Sequence, residues 1–230
     1  MKIENSKFPL FAKDFGVSSL NIHNFNRKLE HHSNGLKNSM TPYIIEERSM
    51  NMTQMDVFSR LMMERILWVA GPVDENMATI VQAQLMFLDS IDDKEIEMYI
   101  NTPGGSVVAG LSMVDVMDYI KSDISTLNAG MAASMGSILL GAGAKGKRRS
   151  LRFSKVMMHQ SSGGATGNIS DARIAMQEWE KYNNILFDLL GGYCGKPMDE
   201  VLNDANRDNW LNAEQALEYG IIDEIIVKRK

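Results

Sequence analysis

From Met55 onward the sequence alternates short strand-like runs with helical periodicities, and no other feature limits the choice of fold as much. Asp56 to Glu64 has helical spacing, Ile66 to Ala70 reads as a strand, and Glu75 to Ser90 as a helix. The latter carries apolar residues at Met77, Ile80, Val81, Leu85 and Leu88. A strand from Glu95 to Ile100 is ended by Asn101-Thr102-Pro103-Gly104-Gly105, and a helix is expected from Val107 to Ile120. A strand over Ile124 to Leu127, an apolar helix over Ser137 to Ala144 and a strand over Lys155 to His159 follow. Short strands separated by helices mean βαβ units and a mainly parallel, helix-covered sheet, so the expected class is α/β.

The C-terminal third adds punctuation. Ser161 to Ser170 is glycine-rich and irregular, and Ser170 opens a long helix, Asp171 to Leu190. Its Ile174, Trp179, Tyr182, Ile185, Leu186 and Leu189 suit a projecting arm that buries itself within the subunit or against another one. Pro197 suits the first turn of a further helix. Asn212-Ala213-Glu214-Gln215 has the spacing of a capping box, and Gly220 ends that helix before a final strand from Ile221 to Val227.

Charge and residue usage exclude several function classes. A formal charge of −5 gives no electrostatic reason to expect nucleic acid or an anionic membrane as partner, and no apolar run reaches a membrane span. Residues 1–40 stand apart, with six Lys/Arg against three Asp/Glu, and read as an N-terminal extension or propeptide ahead of a single domain over 41–230. The one cysteine, Cys194, cannot form an internal disulfide and suits a reducing cytoplasm. The 18 methionines are read as core and interface filler rather than a cofactor site. His159 is the only histidine after His32, so no metal site built on several histidines is expected, and any imidazole base in the body must be His159.

Three stretches are candidates for chemistry. Ser134 lies in Gly130-Met-Ala-Ala-Ser-Met-Gly136, where a strand turns into a helix. Taken alone, that stretch reads as a small-residue helix with Ser134 as its N-cap. A serine hydroxyl becomes a nucleophile only beside a base that a third group orients. His159, at the carboxyl end of a strand, is the base within reach of the pattern, and Asp171, Asp199, Asp204 and Asp208 all remain open as the third group. Asp208 stands out modestly, just before a capped helix. Pro103-Gly104-Gly105 follows a strand and suits backbone N–H groups turned into a cleft. Gly141 to Arg148 approaches the phosphate-binding loop G-x-x-x-x-G-K-[ST], but Arg148 stands where the magnesium-binding hydroxyl belongs, so no ATP site is expected there.

Several motifs in order carry a resemblance from about Tyr43 to Val227. They are Phe58-Ser-Arg-Leu-Met-Met-Glu-Arg-Ile66, Tyr99-Ile-Asn-Thr-Pro-Gly-Gly105, Gly130-Met-Ala-Ala-Ser-Met-Gly136, Met157-Met-His-Gln160 and Arg207-Asp-Asn-Trp-Leu211. The chain resembles the ClpP family, the proteolytic subunits of Clp proteases in serine peptidase family S14. The resemblance implies a ClpP/crotonase-like spiral of βαβ units with a protruding handle, strand plus long helix, at about residues 160–190. It implies Ser134 as nucleophile, His159 as general base, Asp208 as its orienter, and the N–H groups of Gly105 and Met135 as the oxyanion hole.

The same resemblance implies a homo-oligomer of two stacked heptameric rings that encloses its active sites and degrades unfolded polypeptides. No cofactor is implied for the chain itself, because ATP is used by a partner AAA+ unfoldase of the ClpX or ClpA/ClpC type. By motif position that partner docks at Leu85, Tyr99, Tyr119, Leu127, Leu151 and Ile226, where Glu97 and Ala129 replace bulkier residues common in the family. Asn206 stands where an acid beside Arg207 often bridges the rings. Two rival readings share the fold or the ring: a crotonase-like acyl-CoA enzyme, and a non-catalytic ring subunit. The intact Ser134, His159 and Asp208 set counts against both.

Overall fold

A computed structural model describes residues 43–48, 51–163 and 168–228 of the 230. The expected extension over 1–40 lies outside them. Two units are distinguished, Met1–Val57 and Phe58–Lys230. In the first, strands β1 (Tyr43–Arg48) and β2 (Asn51–Asp56) pair antiparallel, Tyr43 opposite Asp56 and Arg48 opposite Asn51. The sequence reading had no element there.

The second unit holds the alternation. In chain order it contains α1 (Val57–Met63, begun at the last residue of the first unit), β3 (Ile66–Ala70), α2 (Glu75–Ile91), β4 (Ile96–Thr102) and α3 (Val107–Tyr119). Next come β5 (Ile124–Ala133), α4 (Met135–Gly141), β6 (Arg148–Leu151) and β7 (Lys155–Met158). The chain closes with α5 (Ile169–Cys194), α6 (Met198–Asp204), β8 (Asn209–Leu211), α7 (Ala213–Tyr219) and β9 (Glu224–Ile226). The sheet runs β3-β4-β5-β6-β9 with every pair parallel, as the βαβ reading requires. Strand β5 forks: its first half pairs with β6 through Thr126 to Asn128, its second half with β7 through Met131 to Ala133. Strand β8 then adds antiparallel to β7.

Local chemistry fixes the helix ends. Asp74 accepts from the Met77 N–H at 2.8 Å to cap α2, and Asn212 and Gln215 form the reciprocal box at the start of α7. Helices α5 and α7 both end on left-handed glycines, Gly195 and Gly220. Asn168, rather than Ser170, caps α5, accepting from the Asp171 N–H at 2.9 Å, and Pro197 sits one residue before α6.

Strands β5, β6 and β8 differ from expectation, β8 forming at Asn209–Leu211 where the sequence reading had no strand. β5 runs six residues past Leu127, because the small residues of its second half are what close packing there demands: a side chain at Gly130 would sit 2.7 Å from Asn101 Oδ1. β6 was hidden by its charge. Arg148 is buried, with its guanidinium bound to both oxygens of Asp223 and to the Tyr193 carbonyl. That use of Arg148, with Gly141 closing a helix, is a structural role for the phosphate-loop-like stretch.

The core lies between the sheet and α2, α3 and α4, with Leu67, Val69, Leu85, Ile96, Met98, Ile100, Met113, Leu139 and Leu140 almost wholly buried. Several methionines fill it. Helix α5 spans about 39 Å at 1.5 Å per residue, yet buries only Phe187, Leu190 and Gly191, all near its C-terminal end. Its N-terminal half leaves Ile169, Ile174 and Met176 exposed, the form expected of a projecting arm. Residues 160–163 ahead of it are not in a strand, and 164–167, the remainder of the expected handle strand, lie outside the described residues. No helix among the described residues is long and apolar enough to cross a membrane.

Candidate active site

The site forms where β5 ends. Ser134 has φ 54° and ψ −122°, a conformation L-residues rarely adopt. Its N–H donates to the Met157 carbonyl at 2.8 Å, extending the β5–β7 pairing, and its carbonyl accepts from both the N–H and the Oγ of Ser137 at 2.9 and 2.7 Å. Although Ser134 occupies the N-cap position of α4, its side chain makes no capping bond. The N-cap reading of the isolated stretch is thereby corrected. Its hydroxyl instead lies 2.9 Å from His159 Nε2.

His159 leaves the end of β7 on the carboxyl side of the sheet. The antiparallel β7–β8 register sets Met158 opposite Asn209, so the next residue of one strand meets the preceding residue of the other. Asp208 is therefore the acid beside the ring, with Oδ1 3.1 Å from His159 Nδ1. Asp204, another of the sequence candidates, instead accepts from the Tyr219 hydroxyl at 3.0 Å, and Asp171 binds the Asn168 side chain. Asp208 is well exposed and His159 mostly covered, so this pair does little for stability; what it does is orient the ring.

The glycine turn completes the pocket. Val73 donates to the Gly104 carbonyl and accepts from the Ser106 N–H, at 2.9 and 2.8 Å. In such a parallel bridge the intervening residue, Gly105, directs its own N–H to the opposite side. Gly104 has φ +89°, and a Cβ there would meet Ser134 Cβ at 2.7 Å and the Met135 nitrogen at 2.9 Å. The turn is thus pressed against the serine corner, where only glycine fits. Thr102, wholly buried, pins it by accepting the Gly104 N–H and donating to the Gly71 carbonyl.

Beside Ser134 and His159 lies a narrow recess of about 30 Å³. Val107, Ile138, Met158, Leu186, Phe187 and Leu190 give it apolar walls, so α5 forms one side of it. Burial pushes the Cys194 thiol up to about 11, which keeps it protonated and unreactive. Among the described residues no group of three or more His, Cys, Asp or Glu is placed to hold a metal ion.

The six residues expected at a docking surface divide. Tyr99, Leu127, Leu151 and Ile226 line one open cavity of about 600 Å³, together with Glu97 and Arg149, whose side chains pair at 2.7 Å. Leu85 is instead fully buried in the core, and Tyr119, at the end of α3, is exposed and does not line that cavity. Sequence reasoning missed Thr102, whose only signal was its place in the glycine turn.

A hydroxyl, an imidazole and a carboxylate in one hydrogen-bonded line, with a glycine turn facing the hydroxyl, is the arrangement of a serine hydrolase. The Clp protease family model matches residues 48–229. Proteins named "ATP-dependent Clp protease proteolytic subunit" are similar over most of their length. That of Bacteroides fragilis is 50% identical over 191 residues, covering 83% of this chain and 92% of that one. Those of Bacteroides thetaiotaomicron and Porphyromonas gingivalis are each 49% identical, covering 83% of this chain and 87% and 86% of theirs. The chain belongs to the Clp protease family, and it is a peptidase.

Proposed function

We propose that the chain is the proteolytic subunit of an ATP-dependent Clp-type protease, a serine endopeptidase that cuts unfolded polypeptides. The observation that carries this is the line Asp208–His159–Ser134, with separations of 3.1 and 2.9 Å. Ser134 Oγ attacks the scissile carbonyl while His159 Nε2 takes its proton, and Asp208 holds the Nδ1–H tautomer and steadies the imidazolium. The carbonyl oxygen, now negative, is received by the N–H groups of Gly105 and Met135. His159 then returns its proton to the leaving amine, and a water molecule deprotonated by the same ring hydrolyses the acyl-enzyme. None of these steps needs a cofactor.

Subunits assemble as two stacked seven-membered rings, in which the exposed apolar side chains of α5 find cover. Folded substrates need about 5–15 kcal/mol of unfolding work, and the one phosphate-loop-like stretch singled out in the sequence commits its Arg148 to Asp223 instead. A separate AAA+ unfoldase therefore docks, at the cavity lined by Tyr99, Leu127, Leu151 and Ile226, and the assembly works in the cytoplasm. The test is labelling of the purified particle with a fluorophosphonate, alongside hydrolysis of a fluorogenic peptide without nucleotide. Wild type should label at Ser134 and cleave; Ser134→Ala should do neither while keeping its particle mass. Substantial cleavage by Ser134→Ala overturns the reading, and turnover of a crotonyl thioester in its place would favour the acyl-CoA alternative.

A further inference from the structure

The segment that leaves His159 is held from two sides. On one side the Gln160 N–H donates to the Ala205 carbonyl at 2.9 Å, and Gln160 Nε2 to the Asn206 carbonyl at 3.1 Å. These bonds tie His159 to the loop that carries Asp208. On the other side both the N–H and the Oγ of Ser161 donate to Asn183 Oδ1, each at 3.0 Å. A backbone N–H can only donate, so the carboxamide of Asn183 must present its oxygen. Asn183 lies midway along α5 between Trp179 and Phe187, four residues from each and so on one face. The neighbours on that face are apolar anchors. Phe187 is buried, and the Trp179 indole fills the space beside Gly163, where a Cβ would fall 1.4 Å from a ring carbon. A half-buried polar side chain between two aromatic anchors gains nothing from apolar packing. Its contribution is the two bonds to Ser161, which also lines the recess beside Ser134.

We propose that Asn183 is a positioning residue for the hydrolytic reaction: its carboxamide oxygen, through Ser161, fixes the backbone that sets the His159 ring between Ser134 and Asp208. Beside the apolar wall that α5 gives the recess, this side chain joins the arm helix to the segment carrying the base by hydrogen bonds. This rests on the reading of His159 as the base. Without the clamp, segment 160–163 loses its side-chain tie to α5, and of the two ties that hold the chain just after His159 only the Gln160 bonds remain. A displacement of a fraction of an ångström at the ring lengthens the 2.9 Å bond to Ser134, and proton transfer slows steeply with such misplacement.

The experiment compares Asn183→Leu, which keeps the shape and removes the acceptor, with Asn183→Asp, which keeps an acceptor oxygen. Peptide kcat and KM, the rate of fluorophosphonate labelling at Ser134, Tm and particle mass are measured on the assembled protein. Asn183→Leu should lower kcat and the labelling rate about tenfold with KM within about twofold, and Asn183→Asp should restore most of the loss. Wild-type kcat and labelling in Asn183→Leu overturns the proposal. A rise in KM with kcat unchanged also overturns it, since the clamp would then shape the recess and not the base. Failure of Asn183→Asp to recover activity overturns the role given to the oxygen. Ser134→Ala is run in parallel: activity there breaks the underlying reading, whereas an inactive Ser134→Ala beside an unaffected Asn183→Leu breaks this inference alone.

Discussion

Gly104→Ala separates backbone strain from pressure on the nucleophile, because the molecule supplies its own control. Gly104 has φ +89° and Gly71 has φ +87°, so an alanine at either position carries the same left-handed penalty, about 1–2 kcal/mol. Around Gly71 nothing lies within 4 Å of a new Cβ. Around Gly104 the new Cβ falls 2.6 Å from the Ala133 carbonyl oxygen, 2.7 Å from Ser134 Cβ and 2.9 Å from the Met135 nitrogen. Reaching the 3.4 Å of ordinary contact moves the serine corner by about 0.7 Å. The corner is mostly backbone and its flanks are buried, so no flexible side chain can absorb that motion. The hydroxyl then leaves hydrogen-bond range of His159, and a loss of about 10²-fold in kcat/KM is expected, equivalent to about 2.7 kcal/mol of barrier. Peptide hydrolysis and Tm measured on wild type and both variants give the answer. Gly71→Ala should lose some Tm and keep its activity; Gly104→Ala should lose at least as much Tm and most of its activity. If Gly104→Ala cleaves peptide within threefold of Gly71→Ala, the close approach of the glycine turn to Ser134 has no catalytic meaning.

Burial raises the Asp223 pKa, but the side-chain and backbone bonds from Arg148, its charge and the Gly146 N–H outweigh this and hold the carboxyl below its ordinary value. Its contribution to stability is therefore present above the usual carboxylate range of about 4 and lost as pH falls through the depressed value. Asp223→Asn strands the buried guanidinium, so it should lower stability by about 3 kcal/mol at neutral pH; its Tm should also fall less steeply than that of wild type as pH drops below about 4, and an unchanged acid limb would refute the coupling. Ile185 is 45% exposed in the single chain, on the arm helix. If the proposed two-ring assembly holds, a charge there, Ile185→Asp, should about halve the particle mass by separating the rings, or cause aggregation, with depressed activity; an unchanged mass by sedimentation would show that this face is not part of a ring–ring seam.

What was legible in the sequence was whatever depends on neighbours in the chain. The strand and helix alternation followed from periodicity, and the ends of α7 from a four-residue capping pattern and one glycine. His159 was legible because it is the single histidine of the body, whereas the small-residue corner alone read as an N-cap, and Ser134 became a nucleophile candidate only beside that base and the family motifs. The acid was not fixed by spacing, because the choice among four aspartates depends on the β7–β8 register, a pairing between residues about fifty positions apart. β6 was lost for a related reason: Arg148 looks like solvent-facing charge until Asp223, 75 residues later, neutralises it. Leu85 erred in the opposite direction, since its motif position suggested a surface and its helical face put it in the core. Asn183 shows the same limit, for nothing adjacent marks an asparagine in a long helix as the partner of a loop 22 residues earlier.

The corner at Ser134 has a further consequence for how the nucleophile is kept available. An unusual φ on a residue with a side chain costs about 1–3 kcal/mol and persists only if its surroundings impose it. Here the Ser134 N–H is bound into the β5–β7 pairing, and its carbonyl is bound twice by Ser137. Ser137 is buried, and its hydroxyl reaches back to the corner, so the backbone there is secured without any help from the Ser134 side chain. In an ordinary helix start the N-cap hydroxyl accepts from the backbone and is spent on local structure. At this corner Ser137 and Met157 hold the backbone, and the Ser134 hydroxyl is left with His159 as its one partner among the bonds the described residues make. The strain and the free hydroxyl are therefore one feature. The sheet, rather than the short helix α4, determines where the oxygen points, and substitutions that loosen the β5–β7 pairing should lower the rate before they lower the stability of the whole.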